Sequence, residues 1–164
     1  AIGKNRYHQI NLVGFSLGGN LVLKYLGESP PADIIHRAAT FSVPVHLESS
    51  CQKISSPSNR VYADRFLRSL KNKIVQKASM MPELDTHYLS QVKTLQDFDD
   101  AYTAPLHGFQ NALDYYGKCS ALYFLPDIKT PTLLVNTLND PFLSSKCFPT
   151  DIHNPNLTVE IHSR

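Results

Sequence analysis

The sequence predicts an α/β fold in which a mostly parallel sheet has helices on both faces and carries one long helical insertion. Three observations support this prediction. Short apolar segments typical of buried strands alternate with helical segments along the 164 residues. The first of these strands leads directly into a glycine-rich turn and a helix. A mainly helical segment, residues 47–125, then separates two strands and is too long for a plain connection.

The first strand ends in the most specific motif of the chain. Residues 8–19 read HQINLVGFSLGG, an apolar strand followed by a G-x-S-x-G turn. Such a turn forces Ser16 into a strained backbone conformation, and we expect glycine to be required on both sides, at Gly14 and Gly18. The Ser16 hydroxyl would then project as a nucleophile beside the free N–H groups of the following helix. The alternative is a glycine-rich turn in which Ser16 only caps that helix.

The helix after Ser16 and the next strand would complete a βαβ unit. We expect Gly27 to end the helix as a C-cap, and two prolines that follow to break the chain. Residues 38–43 form a short, mostly apolar segment, which predicts a buried parallel strand.

The insertion, residues 47–125, is predicted to form a helical cap or lid over the strand ends, within a single domain that spans residues 1–164. Helices are predicted over residues 59–74 and 109–116. The first helix would place its apolar residues largely on one face: Val61, Tyr62, Phe66, Leu67, Leu70 and Ile74.

Two further strands are predicted, at residues 132–136 and 157–161, the last of them near an edge of the sheet. Asp140 lies in the loop after the first of these strands. A carboxylate at the carboxyl end of a strand can orient an imidazole and stabilise its protonated form. The Asn-Asp-Pro sequence around Asp140 also favours a plain turn, so both interpretations stay open here. Asp151, the next acid, lies away from the strand end and is the weaker candidate.

Composition argues against several classes of function. A net charge of +2 without a basic face gives no reason to expect nucleic acid as a partner. No apolar segment approaches the roughly 20 residues that would form a transmembrane helix. Three cysteines, an odd number, indicate reduced thiols and a cytoplasmic location. Because histidines, cysteines and carboxylates show no metal-ligand spacing, we expect no metal. Nucleophilic catalysis by a triad with Ser16 and Asp140 would need no cofactor.

Four segments carry a resemblance over nearly the whole chain: residues 14–28 (GFSLGGNLVLKYLGE), 41–47 (FSVPVHL), 97–125 (DFDDAYTAPLHGFQNALDYYGKCSALYFL) and 131–143 (PTLLVNTLNDPFL). The chain resembles the YheT-like branch of the α/β-hydrolases, which is related to ABHD-type esterases and lipases. The resemblance implies a partial α/β-hydrolase fold and the hydrolysis of carboxylic esters, with lipid or acyl esters as substrates of some relatives. It also implies Ser16 as the nucleophile, Asp140 as the acid and the N–H of Leu17 as an oxyanion donor. Family members usually carry two acids where this chain has Asn139 first, and the triad acid matches the second position.

The resemblance also implies elements that this chain lacks. The family's catalytic histidine lies in a Gly-Gly-His element after the last strand, and a His-Gly loop near the early strands gives a second oxyanion donor. Neither element is present at those places, so we expect an internal fragment with little triad-dependent activity of its own. His162 follows Asp140 at nearly the usual spacing but lies inside the strand pattern, and His153 follows too closely.

His107, in a Leu-His-Gly-Phe sequence of the insertion, either buttresses the following helix or faces the substrate. Two functions of different classes therefore stay open. The first is a serine hydrolase that acts on carboxylic esters through an acyl-enzyme. The second is a non-catalytic protein that keeps the fold for binding or scaffolding. The presence of both Ser16 and Asp140 favours the hydrolase.

Overall fold

A four-stranded parallel sheet organises the part of the chain that the computed structural model describes, residues 7–28, 33–81 and 84–163. The strands lie side by side in chain order: β1 (Ile10–Phe15), β2 (Ile35–Phe41), β3 (Thr132–Thr137) and β4 (Leu157–His162). All three neighbouring pairs are parallel, so the four carboxyl ends lie along one edge of the sheet. The predicted α/β class and the four predicted strands are confirmed.

The second strand begins and ends earlier than predicted. β2 ends at Phe41 rather than Val43, because Ser42 adopts a left-handed backbone conformation (φ 52°) that a strand does not continue through. At its other end β2 begins at Ile35. The two residues after Ile35, His36 and Arg37, are polar and exposed. A prediction based on apolar segments therefore does not include this part of the strand.

The helix after β1, α1, covers Leu17–Glu28. The predicted C-cap at Gly27 is wrong, because Gly27 lies inside this helix. A Cβ on Gly27 would overlap the backbone carbonyl of Phe124. Glycine is present there because the last turn of α1 approaches the backbone of the chain at Phe124.

The chain divides into two compact units, which we call the sheet unit (residues 1–50 and 119–164) and the insertion unit (Cys51–Lys118). The sheet unit has its own apolar core, to which α1, the sheet and the loops after residue 119 contribute: Leu23, Leu26, Ala38, Val43, Val45, Ala121, Leu125, Ile128, Leu134, Leu143 and Cys147. Its described residues also include three short 3₁₀ helices: Ala121–Tyr123, Leu125–Asp127 and Ser145–Cys147.

The insertion unit is helical and has a separate core. That core is formed by Leu67, Ile74, Val92, Phe98 and Tyr102. The remaining helices are, in chain order: α2 (Leu47–Ile54), the 3₁₀ helix Pro57–Asn59, α3 (Arg60–Ala78), the 3₁₀ helix His87–Ser90, α4 (Leu95–Phe98), the π-helix Asp99–Thr103, α5 (Ala104–Leu106) and α6 (Ala112–Cys119). In the described part of the chain, every helix is too short or too polar to cross a membrane.

The two helices predicted in the insertion exist with shifted ends, as α3 and α6. The predicted apolar face of α3 is partly wrong. Leu67 and Ile74 are buried, whereas Val61 is 80% exposed. A helix turns by 100° per residue, which places Leu67 and Ile74 on one line and Val61 about a third of a turn away from them.

Candidate active site

Ser16 lies at the sharp turn between β1 and α1. Its backbone is left-handed, with φ of 51°, a conformation that side chains other than glycine rarely adopt. The Ser16 N–H donates to the carbonyl of Phe41 on β2 (2.9 Å), and its carbonyl accepts from the N–H of Asn20 in α1 (3.2 Å). Sheet and helix therefore hold the strained residue from both sides. The side chain is exposed at the carboxyl edge of the sheet.

The turn depends on glycine at two positions, of which only one was predicted. A Cβ on Gly14 would lie 2.6 Å from Cα of Gly19 and 2.9 Å from the carbonyl oxygen of Gly18, and neither backbone atom can move aside. A Cβ on Gly19 would lie 2.6 Å from Cγ2 of Val43. Around Gly18 a Cβ would meet no described atom within 4 Å outside the local helix backbone. The predicted requirement for glycine at Gly18 is wrong, since that residue points outward while Gly19 faces the strands.

Leu17 is the first residue of α1 and is 47% exposed. The first N–H groups of a helix have no acceptor within the helix, and the helix dipole places partial positive charge on them. The backbone of Leu17 thus has the chemistry that an oxyanion donor needs. Its role as a donor stays a prediction.

Asp140 follows β3 by three residues and is half-buried. Its N–H donates to the carbonyl of Thr137 (3.1 Å), and its Oδ1 accepts from the N–H of Phe142 (2.9 Å). The residue therefore does form the turn that its sequence favours. The same turn fixes the carboxylate at the edge where Ser16 lies, so the two interpretations of the sequence are compatible. One strand, β2, separates β1 from β3. The loops that carry Ser16 and Asp140 are therefore two strand spacings, or about 10 Å, apart.

Sequence analysis missed Asn136, a fully buried side chain on β3 that is 1% exposed. Its Oδ1 accepts from the N–H of Val43 (2.6 Å), and its Nδ2 donates to the carbonyls of Val43 (3.0 Å) and Cys147 (2.8 Å). Asn136 thereby joins the chain after β2 to the loop that follows Asp140. An amide directly after the apolar residues Leu133, Leu134 and Val135 was the available signal.

His46 is another of the buried polar residues of the sheet unit. It precedes α2, and its Nδ1 accepts from the N–H of Ser49 (3.3 Å) in the first turn of that helix. The Ser49 hydroxyl lies 2.9 Å from the same nitrogen and 2.6 Å from the hydroxyl of Ser144. Burial and the positive charge of Lys146 lower the pKa of His46, against an opposing effect of Glu48. The ring is thus held neutral, as a hydrogen-bond acceptor.

The three candidate histidines lie in different surroundings. His162 is on β4, with its Nε2 3.2 Å from a carboxylate oxygen of Glu160, and His153 is in an exposed loop. His107 is exposed in the insertion unit, directly after α5, where its N–H donates to the carbonyl of Ala104 (3.2 Å). Its substrate-facing role stays a prediction.

A buried polar cluster in the insertion unit was also not foreseen. The carboxylate of Asp99, at the start of the π-helix, accepts from the hydroxyls of Thr103 and Tyr116, both at 2.6 Å. The Tyr116 hydroxyl also lies 3.2 Å from Sγ of Cys51. Burial raises the pKa of Asp99 and that of the Cys51 thiol, so the thiol stays protonated at neutral pH. The described residues contain no group of three or more histidines, cysteines and carboxylates that could hold a metal ion.

A strained serine at a strand–turn–helix junction, with a carboxylate in a loop two strands away, is the arrangement of a recognisable class of proteins. The chain belongs to the α/β-hydrolases: the family described as alpha/beta hydrolase fold matches residues 4–146. This confirms the family expected from the sequence.

Its relatives include named esterases and lipases. The putative esterase YheT of Escherichia coli is 33% identical over 140 residues, which cover 84% of this chain and 41% of YheT. Human phospholipase ABHD3 is 29% identical over 154 residues (92% of this chain, 38% of ABHD3). The monoacylglycerol lipase of Saccharomyces cerevisiae is 29% identical over 140 residues (80% and 31%). The chain thus spans well under half the length of these curated relatives.

Proposed function

We propose that this chain carries the nucleophile and the acid of a serine hydrolase that cleaves carboxylic esters through an acyl-enzyme. The observation that carries the proposal is the left-handed Ser16, exposed between β1 and α1 and built on a turn that excludes side chains at Gly14 and Gly19. Left-handed non-glycine residues cost energy and persist where the surrounding structure enforces them, commonly at active sites. A serine that only capped a helix would not need this conformation.

In the proposed reaction, a histidine general base takes the proton of the Ser16 hydroxyl while Oγ attacks the ester carbonyl. The oxyanion that forms lies against the N–H of Leu17 at the positive end of α1. When the tetrahedral intermediate collapses, the alcohol leaves with the proton from the histidine and the acyl group remains on Ser16. Water, deprotonated by the same histidine, then attacks the acyl carbon; the bond to Ser16 Oγ breaks, Oγ takes the proton back from the histidine, and the carboxylic acid leaves. Asp140 orients the ring and stabilises its protonated form.

We further propose that the insertion unit is the cap that selects the acyl group, with His107 facing the substrate. The names of the relatives support a lipid or acyl ester as substrate: they are an esterase, a phospholipase and a monoacylglycerol lipase.

Hydrolysis of p-nitrophenyl esters of graded chain length by the full-length protein tests the proposal, together with labelling by a fluorophosphonate probe. We expect Ser16→Ala to abolish both signals, and Asp140→Asn to lower kcat by about 10³- to 10⁴-fold, as in other triads. Ser58→Ala, at an exposed serine of the insertion unit, is the matched control and should behave as wild type. Equal turnover by wild type and Ser16→Ala would refute the mechanism, whereas neither turnover nor labelling in the wild type would leave the binding or scaffolding function.

A further inference from the structure

Two serines with the same unusual conformation follow neighbouring strands. Among the residues that the structure describes, Ser16 (φ 51°) and Ser42 (φ 52°) are the non-glycine residues with a positive φ. Phe15 pairs with Phe41 in the parallel register, so the serines that follow them stand side by side at the same level of the sheet. Only Ser16 belongs to a recognised motif. The conformation of Ser42 therefore requires its own explanation.

The structure holds Ser42 in this conformation by long-range hydrogen bonds. Its N–H donates to the carbonyl of Val135 on β3 (2.9 Å). The next residue, Val43, is bound at both its N–H and its carbonyl by the buried side chain of Asn136. The chain therefore leaves β2 along a fixed path, and Ser42 stays exposed at the turn. Strain that the surroundings enforce in this way is typical of functional positions.

Ser42 occupies the gap between the nucleophile and the acid. β2 lies between β1, which leads to Ser16, and β3, which leads to Asp140. An imidazole that bridges these two side chains has to cross the end of β2, because the gap is about two strand spacings, or roughly 10 Å. Ser42 is the first residue beyond that end.

We propose that Ser42 is a positioning residue for the general-base histidine. This inference rests on the proposed serine-hydrolase function. The Ser42 oxygen faces the carbon edge of the imidazole and accepts a weak C–H···O hydrogen bond. Such a contact strengthens when the ring becomes positively charged, so it favours the protonated ring in the transition state. The left-handed turn at Ser42 places the oxygen and withdraws the backbone from the space that the ring needs.

Replacement of Ser42 by glycine separates the hydroxyl from the backbone conformation, because glycine adopts a positive φ without strain. In the full-length protein we expect Ser42→Gly to melt at the wild-type temperature or higher. Its kcat should fall about threefold to fivefold with KM unchanged, and the acid limb of its kcat/KM profile should move to lower pH. Ser42→Asn, which tolerates the same φ and keeps a polar oxygen, should recover part of kcat.

Ser16→Ala is assayed in parallel to separate the two proposals. If Ser16→Ala retains activity, the serine-hydrolase function fails and the role of Ser42 fails with it. If Ser16→Ala is inactive but Ser42→Gly keeps the wild-type kcat and pH profile, only the role of Ser42 is overturned. A raised KM with an unchanged pH profile also overturns it, because that result assigns Ser42 to substrate contact.

Discussion

Replacement of Asn136 by alanine should destabilise the sheet unit strongly. The change removes three hydrogen bonds: from the N–H of Val43, and to the carbonyls of Val43 and Cys147. The Val43 carbonyl keeps a second partner, the N–H of Val45 (2.9 Å), so two of the three backbone groups, the N–H of Val43 and the carbonyl of Cys147, become unsatisfied. At about 1–3 kcal/mol for each unsatisfied buried group, we expect a loss of about 3 kcal/mol in the free energy of unfolding.

Urea denaturation followed by circular dichroism measures this loss. With a slope of about 2 kcal/mol per molar urea, the midpoint should fall by about 1.5 M. The matched control is Asn11→Ala, which removes an exposed asparagine from β1 and should change the stability by no more than about 0.5 kcal/mol. A loss below about 1 kcal/mol for Asn136→Ala, or equal losses for both variants, would refute the argument that Asn136 holds the chain after β2.

Two further changes test the nucleophile turn and the buried histidine. Gly19→Ala should lower the melting temperature, because the new methyl group overpacks against Val43 at a cost of about 1–3 kcal/mol. Gly18→Ala, at an exposed helical position, should leave the stability unchanged or raise it by up to about 1 kcal/mol. Similar melting temperatures for both variants would contradict the assignment of the close approach to Gly19. Because the pKa of His46 is lowered in the folded protein, the unfolded chain binds more protons once the pH falls below the ordinary value of about 6.5. The stability contributed by neutral His46 is therefore fully present above that pH and is lost as the pH falls from it through the lowered pKa of the folded state. Urea titrations between pH 5 and 8 measure how the free energy of unfolding depends on pH. On acidification, His46→Asn, which keeps a hydrogen-bond acceptor but does not titrate, should lose less of this free energy than wild type or the exposed-residue control His153→Asn. An equal dependence on pH in all three proteins would contradict the prediction.

The sequence predicts the sheet well because its strands are recognisable from local composition. The apolar segments at β3 and β4 are found within a residue of their observed ends, and the apolar residues that begin at Ile10 locate β1. The errors occur where a distant part of the chain determines the structure. Gly27 resembles a C-cap, and only the approach of Phe124 explains it. Likewise, the apolar residues of α3 do not reveal which of them the core of the insertion unit will bury.

In the candidate site, too, features set by local sequence are predictable and features set by distant parts of the chain are not. Ser16 and Asp140 are predictable because each lies in a short motif, a glycine-flanked turn in one case and an Asn-Asp-Pro turn in the other. Asn136 and His46 are not, because their functions as buried hydrogen-bonding side chains depend on backbone groups that the fold brings to them. Asn136 binds Val43 across 93 residues of sequence.

The two strained serines differ in the origin of their strain, and this explains why only one of them has a sequence signature. Both serines donate their N–H to the neighbouring strand, but at Ser16 a local constraint is added, since the strand and the helix meet within five residues and the close approach of Gly14 to Gly19 demands glycine. At Ser42 the constraint comes from β3, through the Val135 carbonyl and the Asn136 side chain. A left-handed residue enforced by a distant partner needs no glycine beside it. For that reason, positions such as Ser42 have to be found from backbone dihedral angles rather than from motifs.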